Sequence, residues 1–127
     1  MLNYTQKKAE IRGKIDTLFS DTIKARAGYK CEITGDKNCQ CAHLMAKGSY
    51  PSLKWDLDNA MSLKSGLHKF YTHHPVEWRK FLIEHFGEKK ILELESRAME
   101  IRHGRWNLTQ LEAKYVELKV YRDSLPR

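Results

Sequence analysis

Apolar positions near the start of the chain fall at helical intervals. From about Tyr4 to Ala27, Ile11, Ile15, Leu18, Phe19 and Ile23 share one face, while Lys7, Lys8, Arg12, Lys14, Lys24 and Arg26 decorate the rest. Gly13 weakens this helix and Gly28 ends it. Helical spacing returns in the second half. Pro75 suits the first turn of a helix running from Val76 to Phe86, with Gly87 as its stop. A further helix is predicted from Glu88 to Ile101, offering Ile91, Leu92, Leu94 and Ala98 for burial, with a break at His103-Gly104-Arg105. Asn107 or Thr109 can cap a last helix whose stripe is Leu108, Leu111, Tyr115 and Leu118, either core or a seam for a partner helix.

Between Gly28 and Pro75 the helical period disappears. Tyr29 to Asp36 reads as a short strand entering a turn, and Gln40 to Leu44 as a second strand. Lys47 to Ser52 is loop. Asp58-Asn59 is expected to begin a short helix reaching His68 or beyond. The pattern describes one mostly helical α+β domain over 1–127: an N-terminal helix (1–28), a compact centre (29–74) and C-terminal helices (75–127).

Size agrees with a single domain, since 127 residues suffice to bury one core. The formal net charge of +7 favours polyanionic partners such as nucleic acid, because counterions released from phosphates drive binding. No apolar run reaches the ~18–20 residues of a membrane span, and the first residues lack the apolar stretch of a secretory signal. The three cysteines, Cys31, Cys39 and Cys41, cannot all pair with one another, which points to a reducing compartment and a cytoplasmic setting.

The centre also holds the residues able to do chemistry. Asn59 follows His43 by sixteen residues, and His68 follows Asn59 by nine. Phosphodiester hydrolysis needs a base to activate water and a cation to offset charge growing on the phosphate and the departing oxygen. A neutral imidazole suits the first task, and a second imidazole on a rigid element suits metal binding. An asparagine amide can orient the base or its loop without titrating. His85 and His103 have no neighbours in sequence that suggest ligation.

This ordered set resembles the HNH endonucleases. The likeness is carried by Gly28-Tyr29-Lys30-Cys31-Glu32-Ile33-Thr34-Gly35, Cys41-Ala42-His43, Trp55-Asp56-Leu57-Asp58-Asn59 and His68-Lys69-Phe70-Tyr71-Thr72-His73-His74-Pro75. Within that family it is similar to a phage- and prophage-borne branch that includes relatives of the recombination nuclease NinG. The resemblance implies a ββα-metal core and a metal-dependent DNA endonuclease. It also implies that His43 is the general base, that Asn59 holds it, and that His68 is the principal ligand of one divalent ion (magnesium, manganese, zinc or nickel). His73 or His74 would be a second ligand, with His74 preferred. Lys47 and Lys54 fall where basic residues of the family face substrate phosphates.

Two departures from the family pattern stand out. Ala42 occupies a position, directly before the base histidine, that often supplies a further metal ligand. The ion would then rest on His68, a downstream side chain, water and the DNA itself. Relatives often clip the hairpin with a zinc held by two Cys-x-x-Cys pairs; here those positions read Cys31, Thr34, Lys64 and Leu67, so no structural zinc is expected. Packing from Trp55, Phe70, Trp78 and Phe81 is expected to replace it. A catalytically degenerate DNA-binding module is the alternative function, RNA an alternative substrate, and the last helix a seam for a homodimer.

Overall fold

The computed structural model describes residues 1–100 and 106–126. It is a mostly helical α+β fold with one two-stranded antiparallel sheet. Five helices, α1 (Tyr4–Arg26), α2 (Ser65–Thr72), α3 (Pro75–Phe86), α4 (Glu88–Glu100) and α5 (Leu108–Ser124), surround strands β1 (Cys39–His43) and β2 (Ala60–Lys64). The end of the fourth helix at Ile101 and the break at His103-Gly104-Arg105 lie outside the described residues. No helix among those described is long and apolar enough to cross a membrane.

Both long helices open with the same reciprocal cap. In α1 the Asn3 side chain accepts from the Gln6 backbone N–H and the Gln6 side chain accepts from the Asn3 backbone N–H, each at 2.9 Å. Asn107 and Gln110 do the same for α5, satisfying donors that a helix start otherwise leaves open. Gly87 ends α3 at a φ of 91°, which an L side chain rarely adopts.

The centre differs from its sequence-based expectation in two places. Residues 29–36 form turns, not a strand. Gly28 (φ 67°), Tyr29 (58°) and Gly35 (78°) are all left-handed, so the run cannot stay extended. The second strand is instead Ala60–Lys64, within the stretch expected to be helical, and the helix begins only at Ser65. The run Ala60-Met61-Ser62-Leu63 is buried on both faces. It therefore shows no alternation of apolar and polar residues, and periodicity cannot separate it from a buried helix.

Burial on both faces follows from the layering. The hairpin pairs Cys39 with Lys64 and His43 with Ala60, and lies between two apolar clusters. On one side Ala42, Met61 and Leu63 pack with Leu82 of α3 and with Ile91 and Leu94 of α4. On the other, Ala60 joins Ile15, Phe19 and Ile23 of α1, Leu111 and Leu118 of α5, and Trp55. Three of the four aromatics expected to clip the hairpin do pack there, Trp55 in the second cluster and Trp78 and Phe81 against the first. Phe70 does not: it is 47% exposed and stacks on His74 at 4.1 Å instead.

Leu111 is fully buried between α1 and α5, whereas Val116 on the same helix is 59% exposed. Leu111→Ala is expected to destabilise the fold by about 2–5 kcal/mol in urea denaturation, and Val116→Ala to change stability by less than about 0.5 kcal/mol.

Candidate active site

A sixteen-residue connection, 44–59, joins β1 to β2 and folds back over the end of β1. Asn59, fully buried at its end, ties it together. Its Oδ1 accepts from the Met45 N–H at 2.7 Å, and its Nδ2 donates to the carbonyls of Met45 (3.1 Å) and Leu53 (3.0 Å). The Leu44 N–H closes the base of the loop on the Asn59 carbonyl at 2.9 Å. An amide suits this position because it both donates and accepts and carries no charge into the core.

The residue after Leu53 completes the arrangement. The Lys54 carbonyl lies 2.8 Å from His43 Nε2. A carbonyl only accepts, so Nε2 carries the proton and donates, and Nδ1 keeps its lone pair. Phe19 of α1 stacks on the ring, with centroids 5.5 Å apart. Burial lowers the His43 pKa below its ordinary value. The bond to the Lys54 carbonyl opposes that shift, while the nearby positive charges of Lys47 and Lys54 add to it. At neutral pH the ring is therefore a neutral base with one fixed tautomer.

His68, in the first turns of α2, faces the same cleft as His43. Gln40 Oε1 lies 2.8 Å from His68 Nδ1, which donates to it and leaves Nε2 free. Desolvation lowers its pKa as well. The cleft holds about 500 Å³ and is walled by Asp16, Phe19 and Ser20 of α1 on one side and by Tyr71, Thr72 and Trp78 on the other.

The other candidates lie elsewhere. His73 and His74 sit at the junction of α2 and α3, and neither lines the cleft. His74 stacks on Phe70 at 4.1 Å and donates from Nδ1 to the Phe70 carbonyl at 2.6 Å. On α2 the residue sharing a face with His68 is Thr72, four positions on, whose hydroxyl donates to the His68 carbonyl at 2.7 Å. Lys47 is exposed at the cleft's edge. The Lys54 ammonium is engaged with Asp16 at 3.4 Å and lies over the Trp55 ring at 5.0 Å. Asp16 also accepts from the Trp55 indole N–H at 2.9 Å, tying α1 to the loop. Neither Asp16 nor Gln40 was identifiable from sequence, since each acts only through a neighbour far along the chain.

Among the described residues no group of three or more His, Cys, Asp or Glu side chains is arranged to hold a metal ion. On the α2 side of the cleft His68 presents Nε2 while its Nδ1 is anchored by Gln40. That fits an ion completing its shell with water and phosphate oxygens, and does not fit a closed protein cage. All three cysteines are free thiols. Cys31 is buried, its sulfur accepting from the Ile33 and Thr34 N–H groups at 3.4 Å. Lys64 pairs with Asp36 at 2.8 Å, and Leu67 packs against the sheet. Burial pushes the Cys41 thiol up to about 11, so it stays protonated and unreactive near neutral pH.

Replacing Asn59 by Ala leaves the Met45 N–H and carbonyl without their partner and takes from the Leu53 carbonyl one of its two donors, the Asp56 N–H remaining at 3.2 Å; the change is expected to cost about 2–3 kcal/mol in urea denaturation. Amide exchange should quicken at Met45. The depressed His43 pKa has a signed consequence too. Below its ordinary pKa of about 6.5 the unfolded chain binds a proton that the folded ring resists, so the contribution to stability is complete above that pH. It is lost progressively as pH falls toward the lower folded value. His43→Gln should reduce the fall in stability between about pH 7.5 and about pH 5.5, as followed by urea midpoints. No family model, curated protein or solved structure matches the chain, and a functional reading rests on the arrangement of His43, Asn59 and His68.

Proposed function

We propose that the protein is a metal-dependent DNA endonuclease of the HNH type, and that β1, β2 and α2 form its ββα-metal core. The observation that carries this reading is the pair of imidazoles in one cleft, each with one nitrogen donating to a fixed oxygen and the other left unprotonated. The net charge of +7 suits a phosphodiester substrate.

In this reading His43 Nδ1 takes a proton from water as that water's oxygen bonds to the scissile phosphorus. The Lys54 carbonyl stabilises the imidazolium that results, through the Nε2–H it already accepts. Asn59 holds that carbonyl in place through the adjacent Leu53. His68, oriented by Gln40, would hold one divalent ion (magnesium, manganese, zinc or nickel), with His74 or His73 a further ligand only if the α2–α3 junction turns toward the cleft. When bound, the ion supplies positive charge beside the phosphate and the departing 3′ oxygen. Lys47 would contact a flanking phosphate. The family branch it resembles suggests phage or prophage DNA processing.

A specific observation favours the second reading, a catalytically inactive DNA-binding module. Ala42, preceding the base, is fully buried, and the helical partner of His68 is Thr72, so a single imidazole faces the cleft as ligand. Nicking of supercoiled plasmid with magnesium, manganese or nickel separates the two. Cleavage that falls about 100-fold or more in His43→Ala, with DNA binding retained, is the expected result. Absence of cleavage with every metal would establish the inactive module instead.

A further inference from the structure

Six basic side chains lie along α1, and the fold gives them different surroundings. Lys14 pairs with Glu10 at 3.5 Å, Lys8 lies over the Tyr4 ring at 5.5 Å, and Arg26 donates to the carbonyls of Leu57 (2.9 Å) and Ala60 (3.1 Å). Lys24 has a distinct setting. Asp16 and Ser20 line the cleft, and Lys24 continues their stripe one turn further along the same helix. Its charge is felt at Cys41 on the cleft wall, together with that of Lys47 from the connecting loop. Among the described residues neither Lys24 nor Lys47 takes part in an ion pair. The nearby carboxylate, Asp21, is already engaged by Tyr29 at 2.8 Å and Arg122 at 2.7 Å.

Asp16 compensates Lys54, leaving two ammonium groups without an ion pair among the described residues: Lys47 at the cleft's edge, and Lys24 one helical turn beyond Ser20 on the cleft wall. One such group at the cleft's edge and another beyond its wall are suited to a chain of phosphates. We propose that Lys24, with Lys47, anchors the phosphodiester backbone of a DNA strand entering the His43–His68 cleft, making α1 part of the substrate surface as well as of the core. This rests on the nucleic-acid part of the function proposed above and not on its catalytic part.

The test is binding of a short fluorescein-labelled DNA duplex, followed by anisotropy across a salt series with EDTA present so that no cleavage occurs. Lys24→Gln should weaken binding and lower the slope of log affinity against log salt by about one. Lys24→Arg should retain the slope, and Lys8→Gln, on the same helix near its start, should leave it unchanged. An unaltered slope in Lys24→Gln, an equal loss in Lys8→Gln, or no binding by the unsubstituted protein would each overturn the proposal. Thermal melting of Lys24→Gln at the unsubstituted temperature separates lost charge from lost fold, and a lowered slope accompanied by a lowered melting temperature counts against the proposal unless Lys24→Arg restores both. A plasmid assay without cleavage, alongside the expected slopes, would remove the nuclease reading and leave this one standing.

Discussion

The three hydrogen bonds of the Asn59 amide set the geometry on which the candidate site depends. They join the two ends of the β1–β2 connection and fix the Leu53 carbonyl, with the Lys54 carbonyl one peptide further on. That second carbonyl determines which nitrogen of His43 is protonated. A buried polar group with no partner would cost free energy, so full satisfaction is what allows an amide to sit at zero exposure between strand and loop. His43, the proposed base, is thus positioned by a residue that does not touch it.

Packing supports the same arrangement from both sides. A five-residue, two-stranded hairpin has little stability of its own. Here it is held between α3 and α4 on one face and α1 and α5 on the other. Phe19 belongs to the second cluster and also stacks on His43, so the terminal helices reach the site itself. Arg97 of α4 extends this support, holding Asp56 of the loop at 2.9 Å.

Charge is distributed with similar economy. Asp16 compensates Lys54 and accepts from the Trp55 indole, while among the described residues Lys47 and Lys24 form no ion pair. Positive surroundings and burial together keep His43 neutral, the protonation state a base requires.

The helical period in the sequence located α1, α3 and α5 closely, because each presents apolar residues on one side and carries its own stop or cap: Gly28, Gly87 and Asn107. Spacing and residue type also singled out His43, Asn59 and His68, which the fold brings to one connection and one cleft. The strands were harder to read. Residues 29–36 carry strand-forming side chains but two left-handed backbones, with a third just before them at Gly28, and β2 is buried on both faces and so has no alternation to reveal it. Sequence could not show that Lys54 would act through its carbonyl, that Gln40 would orient His68, or that Phe70 would turn outward. Those roles depend on which atoms meet across the chain, and short-range pattern contains no information about that. Local periodicity and residue chemistry determined the helices and the candidate site side chains; tertiary contact alone decided their tautomers, their partners and which lysines form ion pairs.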